Sequence, residues 1–316
     1  IKNGLERRLK RKIILVGWRK NIKVLLFGSK GQLGNEFTRF LSNKSIQLTT
    51  LSKAECNITN PIQVKKAIKS QKYDFIINAS AYTNVLKSEL NYETANKINN
   101  HSLRNICSSI ENSTLLIHYS TDYVFDGMLN KAYIESDFTN PINKYGLSKL
   151  NGEKTLLKSD IKFMIFRTSW VYDNHSKNFP NTIIQKIKDN KSINVVNDQV
   201  GVPNHVEFIV RTTFNCMEKY LTFSRKDKDK VHGIYHLSST GSATWYDFAK
   251  YIIDNFFKKK YPNESVDLIA VTSKEFESNV KRPMFSVLNS EKLIRQFDIK
   301  LSSWQDGADE FIKSKL

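Results

Sequence analysis

The chain has 316 residues, 40% of them apolar and 25% charged, the balance of an ordinary globular protein and long enough for two lobes. Its net charge of +18 is front-loaded, with +8 of it carried by residues 1–23, so residues 1–21 read as a solvated basic extension. No nucleic-acid-binding motif accompanies that charge and no apolar run reaches the length of a membrane helix, which argues against a nucleic-acid partner and against a membrane span.

The first regular element is Ile22-Lys23-Val24-Leu25-Leu26-Phe27, apolar enough for a strand buried on both faces. Gly28-Ser29-Lys30-Gly31-Gln32-Leu33-Gly34 follows, opening a helical pattern carried by Glu36, Phe37, Phe40 and Leu41. Strand, glycine turn and helix make a dinucleotide site, because glycine lets the backbone approach a pyrophosphate and the helix N-terminus offers unpaired N–H groups. Gly28, Lys30, Gly31, Gln32, Leu33 and Gly34 are therefore candidate cofactor residues. A second strand over 46–51 ends at Ser52-Lys53. An acidic residue at this point would select NADH through the ribose hydroxyls; Lys53 instead suits the phosphate of NADPH, or is one more surface lysine.

A helix over 61–70 leads to a strand over 74–78 and to Ala79-Ser80-Ala81-Tyr82-Thr83, whose small residues let a cofactor lie close. A helix over 91–110 turns Ala95, Ile98, Leu103 and Ile106 toward the sheet. The strand 115–119 delivers Thr121, Asp122 and Tyr123, and a helix over 144–158 carries Tyr145 and Lys149 four residues apart, on one face. A free phenol titrates near pH ~10. An ammonium fixed beside it favours the phenolate and brings Tyr145 toward operating pH, as a proton donor to a carbonyl oxygen receiving hydride requires. Thr121, at a strand end facing that helix, supplies a second hydrogen bond to the same carbonyl. The competing reading of Tyr145 and Lys149 is a surface pair on a helix.

A strand over 163–167 closes the first unit, and from Asp173 the pattern loosens. Helices are expected over 181–188, 206–221 and 245–258, the last with Phe248, Ala249, Ile252, Ile253 and Phe256 as core, and another over 306–315. Residues 231–238 alternate like a strand, so His232 and His236 share no helical face as metal ligands. Arg282, before Pro283, either grips a pyrophosphate bidentately or caps a loop. Cys56, Cys107 and Cys216 are too scattered for a metal cluster and imply a reducing, cytoplasmic setting. The alternation of strands and helices predicts an α/β fold, a Rossmann-like doubly wound parallel sheet over 22–172, with a smaller C-terminal substrate lobe over 173–316. Part of 195–240 is expected to return to the first domain.

Five longer words occur in order: Ser120-Thr-Asp-Tyr-Val-Phe-Asp-Gly127, Asn140-Pro-Ile-Asn-Lys-Tyr-Gly146, Arg167-Thr-Ser-Trp-Val-Tyr172, Asp198-Gln-Val-Gly-Val-Pro203 and Arg282-Pro283. Over residues 22–312 the chain resembles the dTDP-4-dehydrorhamnose reductase family, in the extended branch of the short-chain dehydrogenase/reductase superfamily. The resemblance implies NAD(P)H-dependent reduction of a nucleotide-linked 4-keto sugar, dTDP-4-dehydro-L-rhamnose to dTDP-L-rhamnose, for polysaccharide synthesis. It places Asp122, Tyr123 and Trp170 against the sugar and its nucleotide, Asn57 and Ile58 near the adenine, and Lys149 on the cofactor ribose. It also implies a homodimer and, in some members, magnesium held between subunits through glutamates; Glu36 and Glu207 match two such positions, while Gln305 occupies the third and leaves the set one carboxylate short. Leu86 stands where relatives carry an Asp. That departure keeps two alternatives open: a related nucleotide-sugar reductase, and a catalytically retired partner like the regulatory subunit of methionine adenosyltransferase.

Overall fold

A computed structural model describes residues 22–189, 192–262, 265–276 and 279–316; the basic segment 1–21 lies outside the described residues. Six strands form one sheet: β1 (Ile22–Phe27), β2 (Ile46–Leu51), β3 (Phe75–Asn78), β4 (Leu115–Thr121), β5 (Lys162–Thr168) and β6 (Gly233–His236). They run in the order β6-β5-β4-β3-β1-β2 with every pairing parallel. Parallel neighbours need crossovers, and the crossovers cover both faces of the sheet. Alternation within β1 shows the result. Val24 and Leu26 join a core with Phe37 of α1 (Gln32–Ser42), whereas Leu25 and Phe27 join an opposite core with Val64 and Ile68 of the helix Pro61–Lys69.

From β1 the chain proceeds outward in both directions, to β2 on one side and β3 on the other, so a crevice opens at the carboxyl ends of β1 and β3. The register brings the relevant residues to that edge. Phe27 lies opposite Asn78, Asn78 opposite His118, and Thr121 opposite Thr168. The turn beginning at Gly28, the loop from Ala79 and the residues 119–121 therefore emerge side by side. The helix carrying Tyr145 and Lys149 is α2 (Lys144–Leu157), and Val206–Thr222 forms α3. Phe208, Ile209 and Phe214 of α3, Tyr235 of β6, and Leu293 and Phe297 of the helix Glu291–Phe297 all pack into the sheet core on the α1 side.

The expected helix over 91–110 has a wide turn in its middle: Tyr92–Asn96 and Ser102–Cys107 are α-helical, and Lys97–His101 is a π turn. The turn holds Asn99, whose side chain accepts the Tyr82 N–H at 2.8 Å and donates to the Tyr82 carbonyl at 3.0 Å and to Ser148 Oγ of α2 at 2.9 Å. Periodicity alone does not reveal such a turn, because side-chain hydrogen bonding to distant backbone accompanies it. Gly152 of α2 sits against the same turn, where a Cβ would overlap the Asn99 carbonyl oxygen.

A second core gathers the helices Phe179–Asp189, Trp245–Ile252 and Trp304–Lys313 with the parallel strand pair Ser192–Val196 and Asp267–Val271. The helix expected over 245–258 continues beyond Ile252 as a π turn, Ile253–Phe257. Phe248, Ile252 and Phe256 are core, as their spacing requires. No helix among the described residues is long and apolar enough to cross a membrane.

Between α2 and the sheet lies a buried ion pair. Arg167 near the end of β5 presents Nε and Nη2 to the two carboxylate oxygens of Glu153 at 3.0 and 2.7 Å, with side chains 2% and 1% exposed. The guanidinium also covers the Phe125 ring at 5.0 Å. Arg167→Met leaves Glu153 buried without its partner and is expected to lower the unfolding free energy by ~3–5 kcal/mol in urea titrations; adding Glu153→Leu is expected to restore most of the loss.

Candidate active site

Gly28 leaves β1 at φ +81, a left-handed conformation, and a Cβ there would stand 2.8 Å from the Ser80 backbone nitrogen. At Gly34 a Cβ would overlap the Gly28 carbonyl oxygen, so this glycine lets α1 fold back onto the turn. Gly31 is different. Its added Cβ would meet nothing nearer than that oxygen at 3.5 Å, an ordinary contact, so packing does not demand glycine. Gly31 faces the crevice, where a bare backbone fits a pyrophosphate against the start of α1.

Three adjoining cavities form one trough. The first is lined by Gly28, Lys53, Asn57, Ile58 and Tyr82. It shares Lys30, Gly31, Ala79, Ser80 and Ala81 with the second, which adds Gln32, Leu33, Asn78 and Lys149. Tyr145, Ser120 and Thr168 then belong both to the second and to an outer pocket of about 350 Å³ lined by Thr121, Asp122, Tyr123 and Trp170. Every residue expected to hold the cofactor lines the first two cavities except Gly34, which acts from beneath. The order along the trough suits a dinucleotide with its nicotinamide end beside Tyr145.

The structure brings Thr121 and Tyr145 together in the lining of the outer pocket, where the Thr121 hydroxyl donates to Asp122 Oδ1 at 3.0 Å. Lys149 is 2% exposed and donates to the Tyr119 carbonyl oxygen at 2.6 Å. The expected lowering of the phenol by Lys149 needs correction. Burial raises Tyr145 above its ordinary range, the nearby Thr121 hydroxyl works against the rise, and the Asp122 charge adds to it. Lys149, pointed at a carbonyl, is itself brought down to about 8 by burial, against the pull of Glu153. The phenol is consequently held in its protonated, donating form.

The outer pocket has an aromatic wall that the spacing alone does not reveal. Trp170 and Trp245 stack with ring centroids 3.5 Å apart and planes 7° from parallel, and Phe179 packs on Trp245 at 4.6 Å. Trp245 opens its helix beside the Thr244 cap, packs at the edge of the second core and stacks its ring on Trp170. Trp170 holds φ +43, a left-handed conformation that costs a bulky residue about 1–3 kcal/mol. Gly201, from the Asp198 to Pro203 word, leaves room for that ring, since a Cβ would stand 2.5 Å from it. Tyr123 packs edge-on against Tyr145 at 5.9 Å. Arg282 lines none of the three cavities; its charge reaches Tyr123, and its buried Nε has no hydrogen-bond partner.

Leu86 is half-exposed and absent from the pocket lining, where its neighbour Val85 appears. Glu36 and Glu207 do meet, through arginines: Arg39 binds Glu36 at 2.6 Å and Glu207 at 3.5 Å, and Arg211 also binds Glu207. Among the described residues no three His, Cys, Asp or Glu side chains converge as a metal set. His236 is a core residue whose Nδ1 meets the Tyr133 carbonyl oxygen at 3.0 Å, and burial beside Arg167 lowers it to about 3.

A doubly wound parallel sheet with a glycine turn at its switch point, and a Tyr, Lys and Thr at the adjoining strand edge, defines an NAD(P)-binding oxidoreductase of the extended short-chain dehydrogenase/reductase class. The chain matches the family described as RmlD substrate binding domain over residues 22–316. It is 36% identical over 295 residues to a dTDP-4-dehydrorhamnose reductase of Salmonella typhimurium, covering 92% of this chain and 97% of that protein. It is also 29% identical to the spore coat polysaccharide biosynthesis protein SpsK of Bacillus subtilis, over 93% of this chain and 98% of that protein. The crystal structure of dTDP-4-dehydrorhamnose reductase from Bacillus anthracis in complex with NADP superposes with a TM-score of 0.83 at 31% identity, covering 92% of this chain and 98% of that one. The chain belongs to the dTDP-4-dehydrorhamnose reductase family. These relatives support the reductase reading and lend nothing to that of a retired regulatory subunit.

Asp122 lies at the floor of the outer pocket, 2% exposed, and its Oδ2 has no hydrogen-bond partner. Burial pushes the carboxyl up from 3.8 to about 6, against the pull of the nearby Ser286 and Thr121 hydroxyls. The folded state thus binds this proton more tightly than the unfolded chain, and Asp122 lowers stability as pH rises from about 4 to about 6, by at most ~3 kcal/mol. Relative to wild type, Asp122→Asn is expected to gain stability across that window and little at about pH 3, read from urea unfolding midpoints at each pH.

Proposed function

We propose that this protein reduces the 4-keto group of a dTDP-linked 6-deoxyhexose, dTDP-4-dehydro-L-rhamnose to dTDP-L-rhamnose, with NADPH as reductant, for polysaccharide synthesis. The observation that carries the reading is the convergence of Thr121 and Tyr145 where the glycine-turn trough meets the aromatic pocket, with Lys149 at the junction. Bound NADPH supplies the hydride that the carbonyl carbon receives. Tyr145 gives its proton to the carbonyl oxygen as that oxygen gains charge, and Thr121 fixes the oxygen by a second hydrogen bond. Lys149 holds the cofactor ribose and carries positive charge to the site when protonated. The Trp170–Trp245 wall offers the flat, apolar surface that a pyrimidine base or a deoxysugar face prefers, and the free Asp122 Oδ2 accepts from a sugar hydroxyl. Lys30 and Lys53 at the far end suit the pyrophosphate and the ribose phosphate of NADPH.

The direct test follows NADPH oxidation with dTDP-4-dehydro-L-rhamnose. Tyr145→Phe is expected to lower kcat by ~10²–10⁴-fold with the NADPH dissociation constant nearly unchanged; activity equal to wild type would refute the assigned proton donor. For the cofactor, Lys53→Ala is expected to raise the KM for NADPH about fivefold and leave that for NADH unchanged, since an exposed phosphate contact is worth ~1 kcal/mol.

A further inference from the structure

The proposed chemistry leaves one buried imidazole unused. His118 on β4 is 2% exposed, and its ring nitrogens meet Asn78 Nδ2 at 3.2 Å and Lys149 Nζ at 3.4 Å. Which nitrogen carries the proton follows from a lock at the end of β3. The Ser80 backbone N–H donates to Asn78 Oδ1 at 3.1 Å, and because a backbone N–H never accepts, the amide oxygen is held on that side. The amide nitrogen must then face His118 Nδ1, which accepts. Burial and the neighbouring Lys149 both disfavour a charged imidazolium. The single ring proton therefore sits on Nε2, directed at Lys149. An ammonium has no lone pair with which to receive it, whereas the amine has one, and the lysine still donates to the Tyr119 carbonyl oxygen.

We propose that Asn78 and His118 form a positioning pair that presents an N–H donor to Lys149 and so favours its amine over its ammonium, making turnover depend on pH through this lysine. The inference rests on the reductase reading given above. Around Lys149 stand Tyr145 and Glu153 of its own helix and His118 of β4, and Lys30 and Lys177 line the same cavity. Glu153, the carboxylate that favours the ammonium, is already engaged by Arg167 of β5 at 2.7 Å. Burial acts in the same direction as the imidazole.

Two measurements on the full protein decide the matter. In histidine labelled with nitrogen-15, the NMR signals of His118 are expected to show Nδ1 bare and Nε2 protonated through the neutral range; a ring protonated at Nδ1 would overturn the proposal. The second is the pH profile of kcat/KM. Gln at position 118 can turn a carbonyl oxygen toward Lys149, so His118→Gln is expected to move the alkaline limb upward by about one pH unit. A limb that stays in place, whatever happens to kcat, would count against the pair. Should His118→Gln not fold, Asn78→Asp accepts from both Ser80 N–H and Nδ1–H, reverses the tautomer, and is expected to give the same upward shift, an unmoved limb again counting against it. A wild type inert toward every nucleotide-linked 4-keto sugar would defeat the reductase reading, and the tautomer would still decide this proposal.

Discussion

The buried pair of Arg167 and Glu153 fixes the geometry on which the site depends. Tyr145, Lys149 and Glu153 follow one another at intervals of four along α2, so they form a single stripe facing the sheet. Tying the last of them to β5 through two hydrogen bonds sets the rotation of the helix, and with it the direction in which the phenol and the amine point. Two charges in a dry interior carry a desolvation cost of several kcal/mol each, which only good geometry offsets. Here the fork of the guanidinium matches both carboxylate oxygens, and a neutral His236 stands 3.5 Å from the remaining nitrogen. The other side of α2 is held just as closely, by the missing side chain at Gly152 and the Asn99 bridge to Ser148.

Much of this was legible in the sequence because it is decided locally. The glycine turn between β1 and α1, the small residues after β3, and the Tyr145 and Lys149 interval each lie within one strand-turn-helix unit, and the fold leaves them little freedom. The direction of the Tyr145 shift was not legible. A spacing of four places two side chains on one face, but where Lys149 directs its nitrogen is settled by the Tyr119 carbonyl oxygen and by His118, both on a strand about thirty residues upstream. Burial, which dominates the shift, is a property of the whole packed site. Trp245 was hidden for a similar reason, since its helix has a strong core stripe and its partner is Trp170, on a distant loop. The π turn at Lys97–His101 left no trace because it depends on Asn99 reaching the Tyr82 backbone and Ser148, which lie far from it in the chain.

Burial, more than any neighbouring charge, decides the protonation state of the Tyr145 phenol. A phenol raised by burial stays protonated across the physiological range. Lys149 and Asp122 are the groups whose shifted values fall closer to neutrality, about 8 and about 6. Their charges, more than that of Tyr145, change with pH under working conditions.

The substrate end obeys a different constraint from the chemical end. Thr121, Tyr145 and Lys149 all project from the sheet and the helix clamped to it. The aromatic wall instead joins two cores: Trp170 follows β5, while Trp245 belongs to the second core. A tryptophan in a left-handed conformation persists only where its surroundings leave it no alternative. Those surroundings are the Trp245 face on one side, the bare Gly201 on the other, and behind it Ser169, whose carbonyl oxygen accepts from Asn204 at 2.8 Å and whose hydroxyl donates to the Val202 carbonyl at 2.8 Å. Because Trp245 stands at the edge of the second core and Tyr145 on the helix clamped to the sheet, residues of the second core can reshape the pocket without moving Tyr145.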